Sequence, residues 1–202
     1  MTWHAQKFWT RCYLHVPDDA ERGVSSTGYT QEIFKQLDEF LVRHGITSMF
    51  DAGCNNAQWI NNKSLSVRYQ GGDISASAVA QALCMHDLDI VIHDIVHDPI
   101  PSCDLLWMRD VMIHLNNQDR KRALNNWISS GVPWLMMTQI DGCTNQDIEY
   151  NMEGFPFSET NWYAEPWLFP PGRDCIYEMP SRKMELWHRD QIRNLDCLKQ
   201  QG

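Results

Sequence analysis

Apolar residues recur at helical spacing near the start of the chain. The segment 30–44, TQEIFKQLDEFLVRH, carries one apolar stripe, opens on a threonine that can act as N-cap, and is followed by Gly45. This pattern predicts a helix. The apolar run at 48–50 ends in Asp51, and VRYQGGD at 67–73 alternates like a strand that leads into a turn. Two predicted strands therefore finish in an acidic residue.

The alternation of helices and strands continues through the middle of the chain. A short helix is predicted near 57–62, and strands are predicted at 89–95, 104–110 and 132–140. Ser75 or Ser77 can cap a helix whose inner residues are Ala78, Val79, Ala82 and Leu83. Asn116 can cap another, which ends at Gly131 and has Leu124, Trp127 and Ile128 inside. Such alternation predicts a parallel sheet that helices cover on both faces.

The pattern changes after the fifth predicted strand. Residues 141–173 are polar, aromatic and rich in proline, which predicts a long loop or cap over a binding site. Two more strands, 175–179 and 183–188, are predicted to form a closing hairpin. We therefore expect one α/β domain over residues 1–202, with seven strands, a C-terminal hairpin and a helical lead-in at 1–45.

Composition narrows the class of protein. A chain of 202 residues with 43% hydrophobic content can bury one core, and its net charge of -9 disfavours a nonspecific binder of nucleic acid. Seven scattered cysteines without a CxxC pair indicate reduced thiols rather than disulfides or a zinc site. The N-terminus lacks the apolar core of a signal peptide, and no apolar run reaches the roughly 20 residues of a membrane helix. These features predict a soluble cytoplasmic protein.

The ends of the predicted strands carry the candidate chemistry. Ligands of open α/β sheets bind at the carboxyl ends of the strands, which gathers Asp51, Asp73, Asp94 and Asp110 along one edge. The first loop, DAGCNNAQW at 51–59, lacks the later glycines that a pyrophosphate requires, so a dinucleotide is disfavoured. A cofactor without phosphates needs one glycine, acids for a ribose and an ammonium group, and an apolar slot for a purine, and S-adenosylmethionine fits these requirements.

The motifs of the chain resemble those of a known family. DAGCNNAQW (51–59), YQGGDIS (69–75), HDI (93–95) and CDLLWMRDVMIHL (103–115) resemble the successive motifs of class I S-adenosylmethionine-dependent methyltransferases. The resemblance covers about residues 9–188. It is closest to a subgroup with further motifs, which here are Trp9 and Tyr13, the turn Ser25-Ser26-Thr27-Gly28, the stretch 161–171 and Glu178. The resemblance implies a Rossmann-like, mostly parallel seven-stranded sheet with helices on both faces.

The resemblance also implies a set of cofactor-binding residues. Asp51 and Gly53 would lie beside the methionine moiety, and Asp73 would accept hydrogen bonds from the ribose hydroxyls. The complete predicted set is Asp51, Gly53, Cys54, Asn55, Asp73, Ile74, Asp94, Ile95 and Arg109, with Ile74, Asp94 and Ile95 at the adenine. Cys54 is expected to be a small buried side chain rather than a nucleophile. Because asparagine tolerates left-handed backbone angles, Asn55 or Asn56 is expected to preserve the turn that glycine usually makes.

The acceptor side of the site is expected just after the fourth strand. His114 is the first candidate for the base that activates a hydroxyl acceptor, and the alternative is a structural hydrogen-bonding role. Asp110 is the second candidate base, and the alternative is that Arg109 and Asp110 shape the loop. The aromatic cluster Trp162, Tyr163, Trp167 and Phe169 offers flat faces for a sugar or an aromatic acceptor, unless it only packs the cap onto its own body.

Other functions are less well supported by the residues. His93 and His97 lie four apart next to acids, but a strand does not bring such a pair together, so no metal is expected. The (D/N)PP(Y/F) tetrad of nucleic-acid amino-methyltransferases is replaced by RDVM, which disfavours base methylation. The prediction is methyl transfer to a small-molecule or carbohydrate hydroxyl. The alternative is a protein that binds S-adenosylmethionine or its product S-adenosylhomocysteine without catalysis, or an interaction module. The oligomeric state is left open.

Overall fold

The computed structural model describes residues 27–60, 65–150 and 157–199. The helices are α1 (Thr27–Arg43), α2 (Ala76–Met85), α3 (Asn117–Ser130) and α4 (Arg189–Ile192), and the strands are β1 (Ser48–Ala52), β2 (Arg68–Asp73), β3 (Ile90–Ile92), β4 (Leu105–Met108), β5 (Trp134–Ile140), β6 (Asp174–Met179) and β7 (Arg182–His188). Short 3-10 helices span Gln58–Ile60, Met112–His114 and Asp196–Leu198. The predicted motif residues Trp9, Tyr13, Ser25 and Ser26 lie outside the described residues.

The seven strands form one sheet in the order β3-β2-β1-β4-β5-β7-β6. The first five strands pair in parallel, while β7 pairs antiparallel with both β5 and β6. The predicted fold class, a mostly parallel seven-stranded α/β sheet with a C-terminal hairpin, is confirmed. Because the chain leaves β1 toward β2 on one side and returns to β4 on the other, the strand order reverses between β1 and β4.

Several predicted element boundaries are wrong for identifiable reasons. The third strand ends at Ile92 rather than at residue 95, since the carboxyl of Asp94 accepts from the Val96 N–H and starts a turn there. The fourth strand ends at Met108 because Asp110 adopts a φ of 59°, which extended backbone does not permit. The first helix begins at Thr27, so Thr30 is not its N-cap and Thr27-Gly28 belong to a helix rather than a turn.

The caps of the two central helices are confirmed. Ser75 accepts from the Ala78 N–H at the start of α2, and Asn116 accepts from the Asp119 N–H at the start of α3. Gly131 ends α3 with a φ of 84°, a left-handed angle that glycine adopts without strain. Leu83 was predicted inside α2 but is exposed. The described part of the chain contains no helix long and apolar enough to span a membrane.

The cap segment packs into the core instead of presenting its aromatic faces. Trp162 and Trp167 are fully buried and Phe169 is nearly so, in one cluster with Trp127 of α3 and Trp187 of β7. The ring centroids lie 5.0 Å apart for Trp162 and Trp167, 5.2 Å for Trp162 and Phe169, and 5.8 Å for Phe169 and Trp187. The prediction that these rings stack on an acceptor is therefore wrong for the three buried members, and only Tyr163 of that cluster is half-buried.

Candidate functional site

The predicted site residues meet at the carboxyl edge of the sheet, where the strand order reverses. Asp51 lies near the end of β1, Asp73 ends β2, and Arg109 and Asp110 follow β4 directly. Parallel pairing of β1 with β2 and β4 sets Asp51 opposite Gly71 and Trp107. An open α/β sheet binds its ligand at such a reversal point.

The carboxyl group of Asp51 is buried among aromatic side chains. Its Oδ2 accepts from the Trp59 indole N–H and the Tyr69 hydroxyl, each at 2.8 Å. Burial raises the pKa of Asp51 to about 7, against smaller lowering effects of Tyr69, Trp59 and Arg109. The Trp59 ring stacks on Trp107 with centroids 5.5 Å apart. The acid is thus held by neutral donors.

Sequence reasoning missed Trp59, Tyr69 and Trp107 as part of this site. A signal was available for Tyr69, because residues two apart on a strand share a face and Gly71 is the partner of Asp51 across the sheet. A Cβ on Gly71 would lie 2.6 Å from Ile90 Cδ1, 2.9 Å from Cys54 Sγ and 3.1 Å from the Tyr69 hydroxyl oxygen, so glycine leaves room for all three side chains. The contacts of Trp59 and Trp107 had no comparable signal in the sequence.

The loop after β1 makes a left-handed turn although the later glycines of a nucleotide-binding loop are missing. Gly53 has a φ of 79°, and a Cβ there would lie 2.4 Å from Val111 Cγ2. Asn55 has a φ of 55°, which confirms that an asparagine preserves the turn, while the left-handed Ala57 at 54° was not predicted. The N–H groups of Gly53 and Cys54 donate to the Gly72 carbonyl. Backbone geometry therefore survives the substitutions.

Asp73 joins this loop to the start of α2. Its Oδ2 accepts from the Asn55 N–H at 2.9 Å, and its Oδ1 accepts from the Ser75 N–H at 2.8 Å. Burial raises the pKa of Asp73 to about 6, although both backbone donors lower it. Since each carboxylate oxygen has two acceptor positions, both oxygens retain acceptor capacity. Ile74 follows directly and is half-buried.

Two further predicted cofactor residues are engaged in the turn after β3. Asp94 Oδ2 contacts His97 Nδ1 at 2.9 Å, and its other oxygen bonds the Val96 N–H. The side chain of Ile95 is buried in the core, and its carbonyl accepts from Asn126. An adenine contact at Ile95 would therefore have to come from its main chain.

Cys54 is a buried thiol. Burial raises its pKa well above the ordinary value, with Asp51 and Asp73 adding to the effect. A thiol of this kind carries little thiolate at neutral pH and makes a poor nucleophile. The expectation of a small buried side chain is confirmed, and its cofactor contact stays a prediction.

A buried network of four charged groups joins the turn after β4 to the β6–β7 hairpin. Arg109 binds Glu178 at two points, through Nε at 2.9 Å and Nη2 at 3.2 Å. Arg182 donates to Glu178 Oε2 at 2.8 Å and also pairs with Asp110 Oδ1. Thr138 on β5 bonds both the backbone N–H and Oδ1 of Asp110. Arg109, predicted as a cofactor ligand, is thus paired with Glu178, and sequence reasoning did not foresee Arg182.

One atom of this network lacks a hydrogen-bond partner. Asp110 Oδ2 is buried and accepts no hydrogen bond, although Arg109 Nη1 lies 3.6 Å away. The residue also holds a left-handed φ of 59° without being glycine. Unsatisfied buried atoms and strained backbone are commonly found at functional sites. Asp110 therefore remains a candidate functional residue, and Arg182 and Thr138 hold its side chain in place.

His114 lies on the 3-10 helix that follows Asp110. Its ring is half-buried and approaches the exposed Phe157 ring at a centroid distance of 6.1 Å. The fully buried Arg120 fixes this turn, since its guanidinium donates to the carbonyls of Met112 and Ser158. Burial lowers the pKa of Arg120 to about 10, which leaves it charged at neutral pH.

The His and Asp residues around position 95 make local contacts. His93 Nε2 contacts the Pro99 carbonyl at 3.2 Å, and Asp98 Oδ2 accepts from the Asp94 N–H. Within the described ranges 27–60, 65–150 and 157–199, no three His, Cys, Asp or Glu side chains are grouped to hold a metal ion.

Known proteins resemble this chain in structure but not in sequence. No protein-family model matches it, and no curated protein matches it by sequence. The N-methyltransferase NodS from Bradyrhizobium japonicum WM9, solved with S-adenosyl-L-homocysteine, is 13% identical with a TM-score of 0.63, covering 91% of this chain and 97% of that chain. The 1,6-didemethyltoxoflavin-N1-methyltransferase of Burkholderia thailandensis, solved with its substrate and S-adenosylhomocysteine, is 11% identical with a TM-score of 0.62 over 92% and 88%.

A third solved structure extends the likeness to another acceptor. The magnesium protoporphyrin IX methyltransferase ChlM from Synechocystis PCC 6803, with bound SAH, is 15% identical with a TM-score of 0.60, covering 93% of this chain and 95% of that chain. At these identities the agreement concerns the arrangement of the backbone over nearly the whole length of each chain. This chain therefore has the fold of the class I S-adenosylmethionine-dependent methyltransferases.

Proposed function

We propose that this protein is an S-adenosylmethionine-dependent methyltransferase that acts on a small-molecule hydroxyl. The observation that carries the proposal is the cradle formed by the left-handed loop at Gly53 and Asn55 with the carboxyl of Asp73 behind it. Gly53 is exposed in this loop, and any side chain there would collide with Val111, whose Cγ2 lies 2.4 Å from the position of a Cβ. The solved structures with bound SAM or SAH and the same fold support the same cofactor.

The cofactor's groups match the donors and acceptors of the cradle. The two carboxylate oxygens of Asp73 suit two vicinal ribose hydroxyls, and Ile74 offers an apolar contact for the adenine. Asp51, next to Gly53, is the acid for the ammonium group, and Asp94 with the Ile95 main chain would lie at the adenine edge. A charge-assisted hydrogen bond of the ammonium to Asp51 contributes about 1.5–3 kcal/mol.

The residues after β4 would serve the acceptor. The bound cofactor supplies a methyl group activated by its sulfonium sulfur, so the protein has to align the acceptor oxygen and remove its proton. His114 is our candidate for the proton acceptor, because its ring is half-buried beside the exposed Phe157. Asp110, the second candidate, would shape the loop before His114 through its bonds to Arg182 and Thr138.

The buried aromatic rings of the cap indicate which class of acceptor is favoured. Burial of Trp162, Trp167 and Phe169 removes the stacking surface on which a carbohydrate acceptor depended. The structural neighbours are named for different acceptors, among them 1,6-didemethyltoxoflavin and magnesium protoporphyrin IX. The choice of a small molecule over a sugar chain therefore rests on the burial of these three rings.

A binding protein without catalysis is the second candidate. It is favoured by Asn55 and Ala57, which take left-handed positions where a glycine would be free of strain. Asparagine tolerates such an angle, whereas alanine adopts it only at a cost. Such a protein would bind S-adenosylmethionine and S-adenosylhomocysteine without turning the cofactor over.

Calorimetry followed by a transfer assay tests the proposal. We expect both S-adenosylmethionine and S-adenosylhomocysteine to bind, and radiolabelled methyl groups to pass from the cofactor to members of a panel of hydroxyl and amine metabolites. Absence of binding at millimolar concentration would refute both candidates, whereas binding without transfer would favour the second one.

Substitution of His114 tests the proposed base. The change His114→Ala should lower turnover about 100-fold or more at saturating cofactor, since general-base catalysis contributes roughly 10²–10⁴-fold. The affinity for the cofactor, measured by calorimetry, should stay within about twofold because His114 is not part of the cradle. Near-normal turnover would show that His114 is not the base.

A further inference from the structure

The carboxyl group of Asp51 is held by two donors that share one of its oxygens. The Trp59 indole N–H and the Tyr69 hydroxyl each donate to Oδ2 at 2.8 Å. Since a carboxylate oxygen has two acceptor positions, these two bonds fill Oδ2. Oδ1 accepts no hydrogen bond from the described residues, and it is not one of the fully buried, unpartnered side-chain atoms among them, so it keeps contact with solvent. The two oxygens of this acid therefore have different surroundings.

Both donors are fixed by the fold. The Trp59 ring stacks on Trp107 at an interplanar angle of 10°, and Phe34 of α1 contacts it edge-on with centroids 5.6 Å apart. Trp107 is itself fully buried on β4, where it is the sheet partner of Asp51. Tyr69 lies on β2, the other neighbour of β1. Donors that are supported by strands and by packed rings keep their positions without a ligand.

An aspartate side chain does not fix the plane of its own carboxyl group. Its last torsion is broad and roughly two-fold, so the two oxygens can exchange places when nothing holds them. Two donors directed at the same oxygen remove this freedom. A binding group that is already oriented loses less freedom when its ligand arrives, which favours binding. Trp59 and Tyr69 thus orient the Asp51 carboxyl in advance.

The surroundings of Asp51 favour a ligand that carries a positive charge. The acid is 2% exposed, and its hydrogen-bond donors among the described residues are both neutral. Burial of an acid with neutral donors leaves its charge poorly compensated, and an apolar side chain at this position would avoid that cost. An ammonium group at Oδ1 would offset the cost through a charge-assisted hydrogen bond.

We propose that Trp59 and Tyr69 are positioning residues of the cofactor site, which fill the acceptor positions of Asp51 Oδ2 and so present Oδ1 to the ammonium group of S-adenosylmethionine. This inference rests on the proposed function and adds to it. The two residues act through the acid rather than by touching the cofactor. Loss of either donor should therefore harm the binding of ligands that carry the ammonium group and spare ligands that lack it.

Calorimetry with two ligands tests the inference. The variant Trp59→Phe loses the indole N–H but keeps an aromatic ring to stack on Trp107, and it should bind S-adenosylmethionine at least about fivefold more weakly than the wild type. Its affinity for 5′-methylthioadenosine, which has the adenine and ribose but no amino-acid group, should stay within about twofold. Equal weakening for both ligands, or no weakening, would refute the proposal. If the wild type binds neither ligand, the proposed function itself fails.

A double-mutant cycle shows whether Trp59 acts through Asp51. The variant Asp51→Asn removes the charge of the acid and should itself weaken S-adenosylmethionine binding at least about fivefold. Adding Trp59→Phe to Asp51→Asn should change that affinity by less than about twofold, because the group that Trp59 orients is no longer an acid. A further fivefold loss would show that Trp59 acts independently of Asp51, as a structural residue or a direct contact, and would overturn the proposal. The cycle also decides if the wild type binds S-adenosylmethionine but not 5′-methylthioadenosine.

A matched control and a second variant complete the test. Trp187→Phe removes another indole bond, the one to the Pro170 carbonyl at 2.9 Å, from a fully buried tryptophan in a different core cluster, and should leave both affinities within about twofold. Tyr69→Phe removes the other donor to Asp51 by the loss of a single oxygen atom. It should show the same preference between the two ligands as Trp59→Phe, and it carries the test if Trp59→Phe does not fold. Unchanged binding of S-adenosylmethionine by Tyr69→Phe would refute the proposal.

Discussion

The two halves of the carboxyl edge hold their acids in different ways. On the β1–β2 side, Asp51 and Asp73 accept hydrogen bonds from an indole, a hydroxyl and backbone N–H groups, and burial raises their pKa values to about 7 and 6. On the β4–β7 side, Asp110 and Glu178 are paired with Arg182 and Arg109. The acids of the β1–β2 side would therefore attract a positively charged ligand, whereas the acids of the β4–β7 side are already paired with arginines.

This difference matches the separate tasks proposed for the two halves. A half whose buried acids lack strong cationic partners favours a ligand that brings its own cation, such as a cofactor with an ammonium group. A half whose charges are already neutralised inside the protein is rigid, and it suits the alignment of an uncharged acceptor. The predictions that follow alter one half at a time.

The largest effect is expected from breaking the ion-pair half. Arg182→Met leaves two buried acids, Glu178 and Asp110, without this partner, and should lower the free energy of unfolding by about 3–5 kcal/mol in urea denaturation. The control Arg193→Met removes an exposed pair with Asp190 and should cost about 1 kcal/mol or less. Equal losses for the two variants would show that the buried network is not coupled as described.

The next effect is the pH dependence of the neutral-donor half. The folded pKa of Asp51, about 7, lies above the ordinary aspartate value of 3.8, so its contribution to stability is fully present below about pH 4 and is lost as the pH rises toward 7. Asp51→Asn removes this loss. Relative to the wild type, the variant should therefore gain about 3 kcal/mol between pH 5 and pH 8 in urea denaturation. A pH-independent difference would contradict the burial of an ionisable Asp51.

A smaller effect is expected on cofactor affinity when Asp73 is removed. Asp73→Ala should weaken S-adenosylmethionine binding at least about tenfold in calorimetry without unfolding the chain, since the ribose hydroxyls lose their acceptor. The control Asp89→Ala removes an exposed acid just before β3, which accepts from Gln70 at 2.7 Å, and should leave the affinity unchanged. Unchanged affinity of Asp73→Ala would remove the ribose assignment.

The smallest effect concerns the loop backbone between the two acids. Asn55→Ala should lower the free energy of unfolding by about 1 kcal/mol, because alanine tolerates a φ of 55° less well and the Asn55 Oδ1 bond to the Asn56 N–H is lost. Asn55→Gly loses the same bond but fits the angle without strain, so it should be destabilised less than Asn55→Ala. Thermal denaturation of the two variants side by side would contradict this if alanine were tolerated as well as glycine.

The contacts of the β1–β2 side were largely predictable because they are short in sequence. Asp73 bonds Ser75, and Asp51 bonds residues 8 and 18 positions away, so strand-end motifs already contain the acids and the loop. What motifs could not give was burial, and with it the aromatic support of Asp51 by Trp59. The buried position of Ile95 was missed for the same reason.

The β4–β7 side was only partly predictable because its paired residues are distant in sequence. Arg109 and Glu178 are 69 residues apart, and Asp110 and Arg182 are 72 apart. The sequence predicts that Arg109, Asp110 and His114 follow the fourth strand. No motif near these residues indicates that the β6–β7 hairpin brings Arg182 to Asp110. The aromatic cap was misjudged because a ring that packs on the core and one that packs on a ligand have the same composition.

The sequence by itself determined the order of the elements, the parallel sheet with its closing hairpin, and the edge at which the polar strand ends gather. These follow from periodicity, caps and turns, which depend on neighbours along the chain. Only the tertiary structure decided which acids face neutral donors and which face arginines, and which aromatic rings are buried. Burial and ion pairing depend on strands brought together from distant parts of the chain, so they exist only once the chain is folded.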